Sequence, residues 1–348
     1  MSTGEGMRHA RGVRASGIGS WPGTDVREAL RVVRGELTDT APDGVEGVPY
    51  LPELPARGPG ADMVGRTAHL LVDLPVDLQP QGWRLVDRPG RDHERTGSWW
   101  RQDLDELAEA FDGWAGPLKL QVAGPWTLAS SLWLPLGDKV LSDPGATRDL
   151  ALSLSEGVAA HVREVRRLVP GAEVVLQVDE PSLTAVSLGR IRSESGYRVL
   201  RTPEQGELVT ALRGVVDGAR SGGAVLVAAH SCAGDVPLDL LRSSGADAVS
   251  LDVALLGTPG WEVVATLIEA GVELWAGTVP TGPDPAAPAR LVDDLARRWG
   301  ELGLPLRDLA SLTVTPACGL AASTPAGAQA VTAATVQAAA RLAELAAG

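Results

Sequence analysis

A chain of 348 residues is long enough to bury a sizeable core, as one large α/β domain or two ordinary ones. Its apolar fraction of 44% and charged fraction of 22% exclude a disordered or fibrous protein. A net charge of −13 gathers no phosphates, so neither nucleic acid nor an anionic membrane is expected as a partner.

The first residues, MSTGEGMRHARGVR, carry charge without an apolar stretch. They are expected to form a flexible tail, 1–14, ahead of one domain spanning 15–348. No run reaches the roughly 18 apolar residues of a spanning helix. The only cysteines are Cys232 and Cys318, too few for a disulfide framework, and a reducing cytoplasm is the expected location.

In chain order, apolar strands are expected at 16–20, 48–51, 118–123, 173–178, 225–230, 248–252, 273–278 and 312–315. Between them run helical periodicities with start signals: Thr24 and Asp25 before REALRVVRGEL, Asp103 before LDELAEAFDGW, and Thr202, Pro203 and Glu204 before GELVTALRGVVDGA. The longest internal helix is expected over 147–168, and the Ala-rich 326–347 reads as an amphipathic helix packed on the domain. Pro/Gly-rich 52–60 and the stretch 80–100 read as irregular loops. Eight strands, each followed by a helix, point to an α/β fold, a single (β/α)8 TIM barrel. The near-continuous apolar strands (LKLQV, VVLQV, VLVAA) fit a parallel sheet buried on both faces. An open doubly wound sheet is the alternative. Against it, GIGSWPG after the first strand lacks the G-x-G-x-x-G phosphate fingerprint.

The chemically unusual residues cluster. Ser20, Asp179 with Glu180, His230 with Cys232, Asp252 and Cys318 all fall at or just past the C-terminal ends of strands, where barrel active sites are built. One imidazole, two thiols and a carboxylate form a donor set that suits zinc and does not suit magnesium or calcium. Asp179 and Glu180 are adjacent on a strand and so point to opposite faces: one reaches the mouth while the other braces a neighbour. Ser20 either hydrogen-bonds a substrate carboxylate or caps the next helix. Trp21, Trp126, Trp133 and Trp275 offer either a stacking platform or rim packing, and rim packing is the simpler account. His69, His93 and His161 are expected at the surface.

These motifs, GIGSWP (17–22), VAGPWTL (122–128), LQVDEPSL (176–183), HSC (230–232), GADAVSLD (245–252) and TPACGL (315–320), resemble the C-terminal catalytic barrel of cobalamin-independent methionine synthase, within the wider group that includes uroporphyrinogen decarboxylase barrels. They occur in the family's order and cover most of the chain. The resemblance implies that His230, Cys232 and Cys318 bind zinc, with Asp252 where the family has Glu. It also implies that Ser20 and Asp179 hold the amino-acid end of homocysteine; Glu180 and Trp126, at the same strand ends, are further candidate substrate-binding residues. Zinc lowers the pKa of a bound thiol, so a thiolate exists at neutral pH to take a methyl group. The chain departs from the family on strand seven, where WAGTVPTGP (275–283) holds neither acid nor His, and after Cys318, where Ala321, Ala322 and Ser323 replace a Lys/Arg pair. The expected function is zinc-dependent methylation of homocysteine to methionine. The expected donor is a folate or a methyl-corrinoid, free or on a carrier protein. The alternative is a zinc- and thiol-binding barrel acting as an accessory or sensor protein.

Overall fold

In a computed structural model the structure describes residues 12–282 and 287–348. The strands are β1 (Val13–Ser16), β2 (Val45–Val48), β3 (Val76–Gln79), β4 (Gly82–Leu85), β5 (Gly116–Ala123), β6 (Ala172–Asp179), β7 (Leu226–Ser231), β8 (Ala248–Asp252), β9 (Glu273–Val279) and β10 (Thr313–Pro316). The helices are α1 (Val26–Arg34), α2 (Met63–His69), α3 (Arg91–Ala110), α4 (Pro125–Ser131), α5 (Pro144–Leu168), α6 (Leu183–Ser187), α7 (Gln205–Gly222), α8 (Leu238–Ser243), α9 (Thr258–Glu269), α10 (Pro288–Glu301) and α11 (Pro325–Ala347).

Eight strands form one parallel sheet in the order β2-β1-β10-β9-β8-β7-β6-β5. The seam between β2 and β5 is closed by Lys119 N–H donating to Pro49 O (2.8 Å) and Leu51 N–H donating to Lys119 O (3.1 Å). The fold is therefore the expected (β/α)8 barrel. Helix starts follow the capping chemistry in the sequence. Asp25 accepts from Glu28 N–H ahead of α1, Asp143 accepts from Ala146 N–H ahead of α5, and Glu204 and Glu207 form a capping box on α7.

Some elements depart from expectation. The first strand is Val13–Ser16, not 16–20, so Val13 and Arg14 belong to the barrel; of the expected tail, residues 1–11 lie outside those described. The chain leaves the ladder at Gly17-Ile18-Gly19, where Gly19 takes φ +148° and only Ser20 returns to a single bridge with Glu53. The stretch read as loop over 80–100 holds the antiparallel hairpin β3–β4 and the start of α3, which begins at Arg91. Asp103, read as a helix start, is instead a fully buried residue inside α3 that pairs with Arg57 (2.6 Å) and Arg66 (2.5 Å). His161 is not at the surface: it is buried in α5 against Trp100, and burial takes its pKa down to about 3. Among the described residues no helix is long and apolar enough to cross a membrane.

Candidate metal and substrate site

The mouth of the barrel is assembled from strand ends. On β7 the buried His230 places Nδ1 3.1 Å from Ser250 O and 3.0 Å from Ser250 Oγ on the neighbouring β8. A carbonyl only accepts, so Nδ1 carries the proton and Nε2 presents a lone pair. Burial lowers the His230 pKa to about 4, so the imidazole is neutral at physiological pH and fit to be a ligand. One turn of chain beyond, Cys232 lies 3.7 Å, sulfur to sulfur, from Cys318, which follows β10. Their mutual contact holds Cys318 down at about 6 and pushes Cys232 up, so one of the two sulfurs is readily a thiolate.

The donor set can be tested against zinc on geometry alone. Two thiolates on a tetrahedral zinc, at about 2.3 Å each, sit about 3.8 Å apart, which is close to the separation of this pair. Asp252 ends β8, half-exposed, with Oδ1 accepting from Ala254 N–H (3.0 Å). It is within electrostatic reach of Cys318, while its first oxygen caps the following turn. Among the described residues no three His, Cys, Asp or Glu side chains are already gathered around a common point that would hold a metal. The cysteines are gathered; His230 precedes Cys232 by two residues at the end of β7, and Asp252 ends the neighbouring strand β8.

Ser20 stands beside the same rim. Its Oγ accepts from Ala321 N–H (3.3 Å) and its carbonyl from Leu320 N–H (2.9 Å), tying the segment after β1 to the Cys318 loop. Gly319 has no room for a Cβ because that atom would strike Ser20 Oγ. Asp179 ends β6, 5% exposed, and Oδ1 accepts from Gln177 Nε2 (2.7 Å). Burial, and then the negative charge of Glu53, push its pKa well above the carboxylate range.

Glu180 and Trp126 do not face this site. The buried Glu180 carboxylate accepts from Trp126 N–H (2.9 Å), Thr127 N–H (2.8 Å) and Thr127 Oγ–H (2.7 Å), pinning the start of α4 to β6. Trp126 is 1% exposed and its Nε1–H donates to Leu208 O (3.0 Å) on α7, which is packing rather than a platform. Trp21, Trp133 and Trp275 are likewise buried.

The structure adds residues that sequence reasoning missed. Lys119 Nζ is fully buried and donates to Ile18 O (2.8 Å), Gln121 Oε1 (3.2 Å) and Gln177 Oε1 (3.1 Å). Gln177 Nε2 also reaches Ile18 O (2.8 Å), and Gln121 Nε2 reaches Leu51 O (2.6 Å). The buried Glu53 completes a set of two carboxylates and one ammonium within the barrel mouth. A signal existed: in LKLQV and LQVD the polar residues recur every second position, the period of one strand face, so they had to share the barrel interior.

A family model described as cobalamin-independent synthase, catalytic domain, matches residues 126–341. No curated protein matches the chain. Among solved structures, a B12-independent methionine synthase from Shewanella sp. W3-18-1 in complex with selenomethionine is similar, with a TM-score of 0.61 at 13% identity, covering 94% of this chain and 96% of that one.

Proposed function

Because the chain belongs to the cobalamin-independent methionine synthase family and is a homocysteine methyltransferase, we propose that its own residues divide the task into thiol activation at the Cys232–Cys318 pair and capture of the amino-acid end by the buried carboxylates. The observation that carries this reading is the juxtaposition itself. Asp179 is within electrostatic reach of Glu53 and, more weakly, of Cys318, which supports a common mouth for the carboxylates and the sulfur pair.

His230 through Nε2, Cys232 and Cys318 would hold zinc, with Asp252 as the fourth donor; one methylene shorter than Glu, Asp252 must give up its bond to Ala254 or ligate through its other oxygen. Zinc, when bound, supplies a depressed thiol pKa and so a nucleophilic sulfur at neutral pH. The protein does the rest. Glu53 and Asp179 would receive the substrate ammonium group, whose positive charge offsets the burial and mutual repulsion that raise both carboxyls, with the buried Lys119 beside them. Ser20 Oγ, at the loop that bears Cys318, is the donor for the substrate carboxylate. Ser250 holds the His230 tautomer.

The end of β9 and the residues after it, Gly277, Thr278, Val279, Pro280 and Thr281, offer no acid to protonate a leaving group. Pro283, the end of the strand-seven stretch, lies outside the described residues. Among these residues a methyl-corrinoid, presented free or on a carrier protein, would need no proton for its leaving group, whereas methyltetrahydrofolate would have to draw one from another group. Two cysteines placed as metal donors rather than as a disulfide framework support a cytoplasmic, reducing location. The test is metal analysis of wild-type protein and Cys318→Ser, followed by homocysteine with methylcobalamin or with methyltetrahydrofolate. Near-stoichiometric zinc, lost in the variant, and methionine from methylcobalamin are expected. Less than roughly half an equivalent of zinc in wild type, or methionine from neither donor, overturns the reading.

A further inference from the structure

Glu53 is charged or neutral according to what surrounds it, and its surroundings are unusual. Its side chain is 6% exposed, and Oε1 is buried without a hydrogen-bond partner. The Nε of Arg66 lies 4.0 Å from that oxygen and is itself buried and unpartnered. Two complementary orphan groups thus face one another across a gap that a small adjustment closes.

Arg66 is not free to turn elsewhere. Its NH1 donates to the fully buried Asp103 (2.5 Å), and its guanidinium lies 4.3 Å from the Trp100 ring centroid. Asp103 is held in turn by Arg57 (2.6 Å). Clamped at one end and stacked on one face, the guanidinium has one edge left, and that edge points at Glu53. The other charged groups acting on Glu53 are Lys119 from β5, Asp179 from β6 and Asp62 from the turn before α2. The three donors of Lys119 go to Ile18, Gln121 and Gln177, none to Glu53. Asp62 and Asp179 are acids and oppose a charge on it.

We propose that Arg66, locked by Asp103 and Trp100, is a positioning residue that keeps the Glu53 carboxylate ionised so that it can receive the substrate ammonium group. Consistent with the geometry, burial raises Glu53 and Arg66 is foremost among the groups that pull it back, ahead of Lys119. The substrate arm of the proposal rests on the reading of Glu53 given above; the electrostatic arm does not.

The test uses Arg66→Gln, Arg66→Lys and Glu53→Gln in the full chain. Arg66→Gln does not orphan Asp103, because Arg57 remains bound to it, and thermal melts check that each variant folds. Infrared difference spectra report protonated carboxyls directly, without substrate. A carboxyl band titrating at higher pH in Arg66→Gln than in wild type, restored by Arg66→Lys and absent when Glu53→Gln is added, is expected. At neutral pH the KM for homocysteine should rise about tenfold for each unit by which Glu53 is displaced past the assay pH, with kcat little changed and recovery at higher pH. An unmoved Glu53 band in folded Arg66→Gln overturns the proposal. A displaced band with unmoved KM also overturns it, through the substrate premise rather than the electrostatics.

Discussion

His230 shows how much a single side chain takes from its neighbours. The HSC triplet announces a ligand pair, but only the β7–β8 register, which sets Ser250 opposite His230, fixes which nitrogen is bare. Glu180 is the counter-example. The adjacent acids of DEP are legible as one inward and one outward group, but the sequence does not say what the second one holds. Burial lifts Glu180 to about 7 against the pull of the three donors from Thr127 and Trp126. The sign follows. A carboxyl whose folded pKa lies above its unfolded value of 4.5 contributes stability that is complete below 4.5 and lost as pH rises toward 7. Denaturant melts across that window should show wild-type stability falling with pH by up to a few kcal/mol, and Glu180→Gln should flatten the slope. The variant should also lose about 1–3 kcal/mol at neutral pH, since an amide nitrogen cannot accept from Thr127 or Trp126. A slope unchanged in Glu180→Gln assigns it to another group.

At the scale of elements, the helix read from GELVTALRGVVDGA is found as α7 despite its glycines, and those glycines explain its packing. A Cβ on Gly218 would stand 2.5 Å from Ser155 O, and one on Gly222 2.6 Å from Ala159 O, so α7 lies directly on the backbone of α5. Two effects compete in Gly218→Ala. Helix propensity gains about 1 kcal/mol, while the clash with a rigid backbone carbonyl costs about 1–3 kcal/mol. The clash should win: a net loss of up to about 2 kcal/mol in denaturant melts is expected, and a stabilised Gly218→Ala would show that the helices slide apart cheaply. What periodicity could not deliver at this scale was α3. Its first three turns, RDHERTGSWWRQ, are too polar to mark a buried stripe, and Asp103 imitates a cap. The meaning of Asp103 lies in Arg57 and Arg66, residues 46 and 37 positions away.

Over the whole molecule, the alternation of strand and helix is enough to name a barrel, because a parallel sheet of eight strands with helices between them has few ways to bury both faces. Closure is what sequence does not show, and closure makes the polar interior. Arg14, expected in the tail, is 1% exposed on β1 and pairs with Glu273 (2.5 Å) at the first residue of β9, the end of the barrel away from the sulfur pair. The strands involved are 259 residues apart and meet only through β10. Above this pair the wholly buried Trp275 fills the interior, so the pair seals the floor on which the site is built. Burial raises the Glu273 pKa and Arg14 is the first group to oppose it. Removing the cation therefore leaves a buried acid that must either stay charged without a partner or take up a proton. Arg14→Leu should lose about 3–5 kcal/mol at neutral pH, the loss expected when one member of a buried pair is deleted. Because the folded pKa of Glu273 rises further in the variant, the deficit should shrink as pH falls and Glu273 is protonated. Arg14→Leu combined with Glu273→Gln should recover most of it, since no buried charge is then stranded. A deficit independent of pH, or a double variant no more stable than Arg14→Leu, would instead mark the loss as one of volume at the barrel floor.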